Sequence, residues 1–196
     1  DDGSWSRHTF APDWSMTRVA VGDLDGDGHL EIVLSEAETH PGRLGICKAP
    51  EWTPRVLRDD LFHAHSLEVA DFTGNGLLDI FVGEMGLGRN ENPEMVIFEN
   101  QGGGEFEPVV IQTGVPVHEA KCIDLTGNGL PDIVGKPYQP ERHVDIWWNE
   151  SGWACGETRG PDRPSVACLT VVAVQRRPRR AIVVLSRLAG GYAAVG

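Results

Sequence analysis

Short runs in which apolar and polar residues alternate recur between residues 17 and 149, on both sides of stretches dense in Asp, Asn and Gly. Runs at Thr17–Val21, Ser66–Ala70 and Glu119–Ile123 each lead into such a stretch. Runs at Glu31–Ser35, Leu78–Val82 and Pro131–Val134 each leave one. A period of two with Val, Ile and Leu sets side chains alternately on the two faces of a strand. Connections this short then make each pair a hairpin. A third run follows in each unit, at Arg43–Lys48, Met95–Asn100 and Val144–Asn149. A Gly- or Pro-rich turn with an aromatic residue comes next (Trp52, Phe106, Trp153), then a fourth run such as Pro54–Arg58 or Pro108–Gln112.

Four short strands per unit of about 50 residues, in tandem, predict an all-β chain built of four-stranded antiparallel β-propeller blades. About three blades are recognisable, across residues 1–153, so the propeller is expected to be incomplete. Trp5 stands before Asp23 much as Trp52 and Phe106 stand before Asp71 and Asp124. The chain is therefore expected to begin inside the last strand of an earlier unit.

The connecting stretches carry the chemistry. In the first, Asp23, Asp25, Asp27 and Glu31 place four carboxylates within nine residues, with Gly26 and Gly28 between them. Like charges packed this closely repel unless a cation lies among them. Ca²⁺ accepts an irregular cage of oxygens at about 2.3–2.6 Å. Asp23, Asp25 and Asp27 would supply positions 1, 3 and 5, the His29 carbonyl position 7, and Glu31 position 9. The second stretch offers Asp71, Thr73, Asn75, the Leu77 carbonyl and Asp79. The third offers Asp124, Thr126, Asn128, the Leu130 carbonyl and Asp132. Asp, Asn and Gly also form ordinary turns that bond their own backbone without a metal. Charge count ranks the first loop as the tightest site, and in all three the ion's role would be structural.

An EF-hand requires a bidentate Glu at position 12 and flanking helices. Position 12 here is Leu34, Val82 or Gly135, and the flanks alternate as strands do. The segments VAVGDLDGDGHLEIVLSE, LEVADFTGNGLLDIFVGE and AKCIDLTGNGLPDIVGKP instead resemble FG-GAP/VCBS repeats, the family of integrin α-subunit propellers and many secreted bacterial proteins. The resemblance implies Ca²⁺ in the D-x-D-x-D-G-x-x-D loops and an extracellular or periplasmic setting, where Ca²⁺ is millimolar and carboxylate-poor loops fill. The chain departs from the pattern in Glu31 at position 9 and in the paired carboxylates of the other two loops.

Charge alters the picture in one respect. The net charge of −12 disfavours nucleic acid and anionic surfaces as partners. Yet residues 1–152 hold 27 acidic and 10 basic residues, whereas residues 153–196 hold 2 and 7, the seven all arginine. Residues 154–196 carry no calcium loop and read as a tail that does not belong to the propeller, with apolar runs at Val166–Val174 and Ala181–Leu188. No run is long and apolar enough for a membrane helix. Cys47 and Cys122 read as small buried hydrophobes.

A ligand site is expected at the rim opposite the loops. There His65 and His118 lie six residues before the first loop Asp of their blades, with Thr17 at the matching place in the first. Glu36, Glu84 and Lys136 follow the second strands. These five residues are the candidate ligand-binding set. His65, His118, Glu84 and Lys136 are also candidates for general acid–base work, against the plainer role of strand caps. Two functions survive. One is a calcium-stabilised, secreted module that binds glycans or proteins and packs on further blades or domains of a longer chain. The other is part of a propeller-type polysaccharide lyase or sugar dehydratase.

Overall fold

The computed structural model describes residues 3–15, 17–138 and 142–151. Trp153 and the two apolar runs of the tail lie outside the described residues. Within them there is no helix, and so none able to cross a membrane. Three antiparallel sheets follow one another along the described residues. The first blade is β1 (Thr17–Gly22), β2 (Glu31–Glu36), β3 (Gly42–Cys47) and β4 (Arg55–Leu61). The second is β5 (Ala64–Ala70), β6 (Asp79–Glu84), β7 (Glu94–Gly102) and β8 (Glu105–Thr113). The third holds β9 (Glu119–Ile123), β10 (Asp132–Lys136) and β11 (Asp145–Trp147). Strands pair in sequence order within each sheet. The architecture is that of an incomplete propeller, as the alternating runs predict.

The register fixes two rims. Gly22 pairs with Glu31, Ala70 with Asp79 and Ile123 with Asp132, so all three Asp/Gly loops close the same end of their hairpins. At the other end Thr17 pairs with Glu36, Ala64 with Glu84 and Glu119 with Lys136. The first strands are neighbours, β1 beside β5 and β5 beside β9.

Alternation divides the side chains between two cores. Leu67 and Val69 of β5, with Ile80, Val82, Val96 and Phe98, pack on Leu24, Val33, Leu44, Ile46 and Ala20 of the first blade. From the other face of the second blade, Ala70, Phe72, Phe81, Met95 and Ile97 pack on Ala120, Cys122, Ile133 and Trp147 of the third. Positions without a neighbouring blade stay in solvent. Val19 and Val21 of β1 are exposed on one side, and Ile123, Val144, Ile146 and Trp148 on the other. The second loop position shows the same contrast: Leu24 and Phe72 are 2% and 3% exposed under the next blade, Leu125 is 48% exposed.

Several details differ from the sequence expectation. Residues 3–15 form no strand, and Trp5 stands wholly in solvent. Trp14 from this segment lies over Gly45, and the Arg43 guanidinium stacks on its ring at 4.5 Å. Phe106, expected in a turn, belongs to β8 and packs against the first core, because β7 and β8 continue their pairing almost to the hairpin tip. Cys47 is buried and Cys122 half-buried; both are free thiols.

Candidate functional site

Each loop is wound around its first aspartate. Asp23 accepts from the Gly26 N–H at 2.8 Å and the Gly28 N–H at 2.9 Å. Asp71 accepts from Gly74 and Gly76, and Asp124 from Gly127 and Gly129, in the same way. The sixth residue has φ of +86°, +84° and +88° at Gly28, Gly76 and Gly129. A side chain there would strain the turn, which is why glycine holds the place in all three loops.

The first loop differs from the others at its centre. Ligand oxygens of Asp23, Asp25 and Asp27 lie within 4.8 Å of one another. Glu31, 3% exposed, lies across the Lys48 ammonium from Asp25 and Asp27. Its Oε2 accepts from the Leu24 N–H at 2.8 Å, but its Oε1 is buried and has no hydrogen-bond partner. A buried carboxylate oxygen without a donor is costly, and a cation among these four groups removes the cost. Lys48 reaches the same place: Nζ donates to Asp25 Oδ2 and to Asp27 Oδ2 (2.7 Å), and lies 3.8 Å from Glu31 Oε1. That bond, with the His29 N–H, holds the Asp27 carboxyl down at about 2.

Position 9 of the other two loops is already occupied by the backbone. Asp79 accepts from Phe72 and Thr73 on one oxygen and from the Asn100 N–H at 2.8 Å on the other. Burial nonetheless pushes its pKa up. Asp132 accepts from Leu125 at 2.9 Å and from the Asn149 N–H at 2.8 Å. Asn75 and Asn128 receive the Leu77 and Leu130 N–H groups at 2.8 and 2.9 Å. Glu31 is one methylene longer than aspartate, and only there is an oxygen left over. The residues of the first loop fit Ca²⁺ best, and Asp23, Asp25, Asp27 and Glu31 would hold it.

Two asparagines beside these loops were not singled out from the sequence. Asn100, buried at the end of the second blade's third strand, donates from Nδ2 to Leu24 O at 2.7 Å and to Leu78 O at 2.9 Å. Asn149 donates to Phe72 O at 2.9 Å. Each ties its own blade to the loop of the one before. The signal was present, since Met95–Asn100 and Val144–Asn149 both end in Asn; the first blade has Ala49 there.

At the opposite rim three of the five candidate residues meet. His65, 7% exposed, stacks on His118 with ring centroids 4.2 Å apart. His65 Nδ1 lies 2.7 Å from the His118 carbonyl and Nε2 lies 3.0 Å from Glu38 Oε1, while Arg18 approaches the same ring. Lys136 Nζ lies 3.0 Å from His118 Nδ1, and the Tyr138 ring packs tilted on His118 with centroids 5.0 Å apart. Burial first, then the charges of His65, Lys136 and Arg18, pull the His118 pKa down and favour the neutral ring. An open cavity of about 460 Å³ is lined by His118, Lys136, Tyr138, Arg142 and His143.

Glu36 and Glu84 are engaged elsewhere. Arg43 binds Glu36 through its side chain at 2.7 and 2.8 Å and through its N–H, and the Ser15 N–H bonds the same carboxylate. This holds the Glu36 carboxyl at about 2, chiefly through the Arg43 side chain. Glu84 accepts from the Phe62 and Glu94 N–H groups and from Asn90, and its burial raises its pKa. Both glutamates fasten the chain entering their blade to the start of its third strand. Arg18 and Glu38 join the rim only through blade-to-blade placement, which no single repeat reveals, and Tyr138 joins it from beyond the third blade's own hairpin.

No curated protein matches the chain. A family model described as an FG-GAP-like repeat matches residues 71–135. That span runs from the first aspartate of the second loop, through the third loop, into β10, with both loop geometries inside it. Residues 71–135 thus resemble an FG-GAP-like repeat, which is consistent with the incomplete propeller-like arrangement of the three sheets.

Proposed function

We propose that this chain is a calcium-stabilised propeller section of a secreted protein, holding its ion in the first loop and presenting the opposite rim to a glycan or protein ligand. The observation that carries the calcium reading is the Asp23–Asp25–Asp27 cluster together with Glu31 Oε1, which is buried without a hydrogen-bond partner 3.8 Å from the Lys48 Nζ that bridges Asp25 and Asp27. Calcium would neutralise four carboxylates that the fold draws together, and a folded-state ligand at 100 times its Kd adds about 2.7 kcal/mol. An extracellular setting supplies such concentrations. The exposed row of Ile123, Leu125, Val144 and Ile146 supports packing against a further blade, since its counterparts in the second blade, Ala70, Phe72, Met95 and Ile97, pack against the third. The test is thermal melting with calcium and with chelator. A calcium-dependent rise lost in Asp23→Ala is expected, and an unchanged melting temperature refutes the calcium reading.

A second reading is an eliminating enzyme acting on uronate-containing polysaccharide. It is supported by His118, whose burial favours the neutral ring, with Lys136 on Nδ1 and Tyr138 packed against it. A base of this kind could take a proton beside a carboxylate that Lys136 and Arg142 hold. Incubation with a panel of uronate polysaccharides, followed by ultraviolet absorbance of the new double bond, separates the two. Absorbance lost in His118→Ala supports the enzyme, whereas binding with no absorbance supports the module.

A further inference from the structure

Among the described residues, the first loop, unlike the other two, carries a cation of its own. Pairing of Ile32 with Cys47 sets Lys48 beside the loop, one residue past β3. The same register in the other blades, Ile80 with Phe98 and Ile133 with Trp147, sets Glu99 and Trp148 at the corresponding place. Neither of those can stand in for an ion. Lys48 Nζ bridges Asp25 and Asp27 and stops 3.8 Å from Glu31 Oε1, an ion-pair distance that leaves that oxygen without a hydrogen bond. An ammonium has three donors and one charge, whereas Ca²⁺ takes six to eight oxygens and brings two charges. The lysine therefore answers only part of the demand of four carboxylates. Its side chain is 44% exposed, so water is at hand to receive it when it leaves.

We infer that Lys48 is a tethered counter-ion that sits in the ion's place while calcium is absent and must swing out for calcium to enter. The inference rests on the calcium reading of this loop. The first loop is then the richest in carboxylate and also self-competing, and its affinity is set by the difference. A lysine seated nine-tenths of the time weakens the apparent Kd about tenfold, because only the remaining fraction is competent to bind. The same residue keeps the metal-free loop from repelling itself apart. Lys48 thus trades peak affinity for a fold that tolerates low calcium.

The test compares the full chain with its Lys48→Met and Asp27→Asn variants. Calcium chloride is titrated while the Gly26 and Gly28 amide resonances are followed, which reports the first loop separately from the others. Melting temperatures are taken in chelator. Lys48→Met keeps the apolar stem and removes the charge. It is expected to bind calcium about tenfold more tightly at Gly26 and Gly28, and to melt lower than wild type without calcium. Equal affinity in Lys48→Met and wild type, with Asp27→Asn silent at these resonances, overturns the counter-ion and leaves the calcium site standing. Resonances that move in none of the three proteins overturn both.

Discussion

Asn100→Ala isolates what joins the first two blades. The side chain is buried and makes three hydrogen bonds, giving Nδ2–H to Leu24 O at 2.7 Å and Leu78 O at 2.9 Å and receiving the Gly102 N–H at 2.9 Å. Its own backbone N–H still reaches Asp79 in the variant, so the loop ligand is undisturbed. Alanine leaves two carbonyls and an amide without partners. Each such group costs about 1–3 kcal/mol when fully buried. Gly102 is half-buried and can find water, so the total falls near 3 kcal/mol. With a urea m-value of about 2 kcal/mol/M, the unfolding midpoint drops by about 1.5 M. Asn149→Ala is the comparison. It loses the bond to Phe72 O at 2.9 Å and two from Ser151, the N–H at 3.2 Å and the hydroxyl, but Ser151 is exposed and finds water, so the change should cost about 1 kcal/mol. Asn100→Asp should be at least as harmful as alanine, because it turns an oxygen toward two carbonyls. If Asn100→Ala shifts the midpoint less than Asn149→Ala, the blade-to-blade hydrogen bonds are not what holds these loops together.

Other outcomes follow from the same geometry. Glu31→Gln should keep the Leu24 hydrogen bond but reduce the calcium-induced rise in melting temperature, read by differential scanning fluorimetry. Glu36 has a folded pKa lowered from 4.5 to about 2 by Arg43. The unfolded state thus binds its proton first on acidification, and the stability this pair confers is lost as pH falls from about 4.5 to 2. Glu36→Gln should flatten that limb of an acid-unfolding curve. For His118 the folded pKa lies below 6.5, so stability should fall as pH drops through 6.5, and His118→Gln should reduce the slope, leaving the part that half-buried His63 contributes in the same direction. An NMR titration in which His118 protonates above 6.5 contradicts this. Gly28→Ala places a Cβ at φ +86° and should destabilise the first hairpin by about 1–2 kcal/mol, although the space beside it is empty.

The hairpins were legible because alternation and turn residues are local signals. Thr17–Val21 with Glu31–Ser35 needed no knowledge of the rest of the chain. Strand ends were less so: β5 reaches back to Ala64 because Ala64 pairs with Glu84 across a bulge, and pairing is not written in either residue alone. The loops could be read as metal sites from spacing, but not which had an oxygen to spare. That depends on one methylene in Glu31 and on the backbone of Asn100 and Asn149 reaching Asp79 and Asp132. Lys48 and the His65–His118 stack come from register and from neighbouring blades. Glu36 and Glu84 looked free in sequence because their partners, Arg43 and the Phe62 and Glu94 amides, lie across strand ends.

The strand β5 has a consequence beyond the site. Leu67 and Val69 serve the core shared with the first sheet, while Ala70 serves the core shared with the third and Glu68 pairs with Lys121. Removing one residue from β5 would exchange these two sets and spoil both seams in one step. The middle sheet is thus a keystone. The outer two can fray singly, but neither seam can open along β5 without loosening its neighbour.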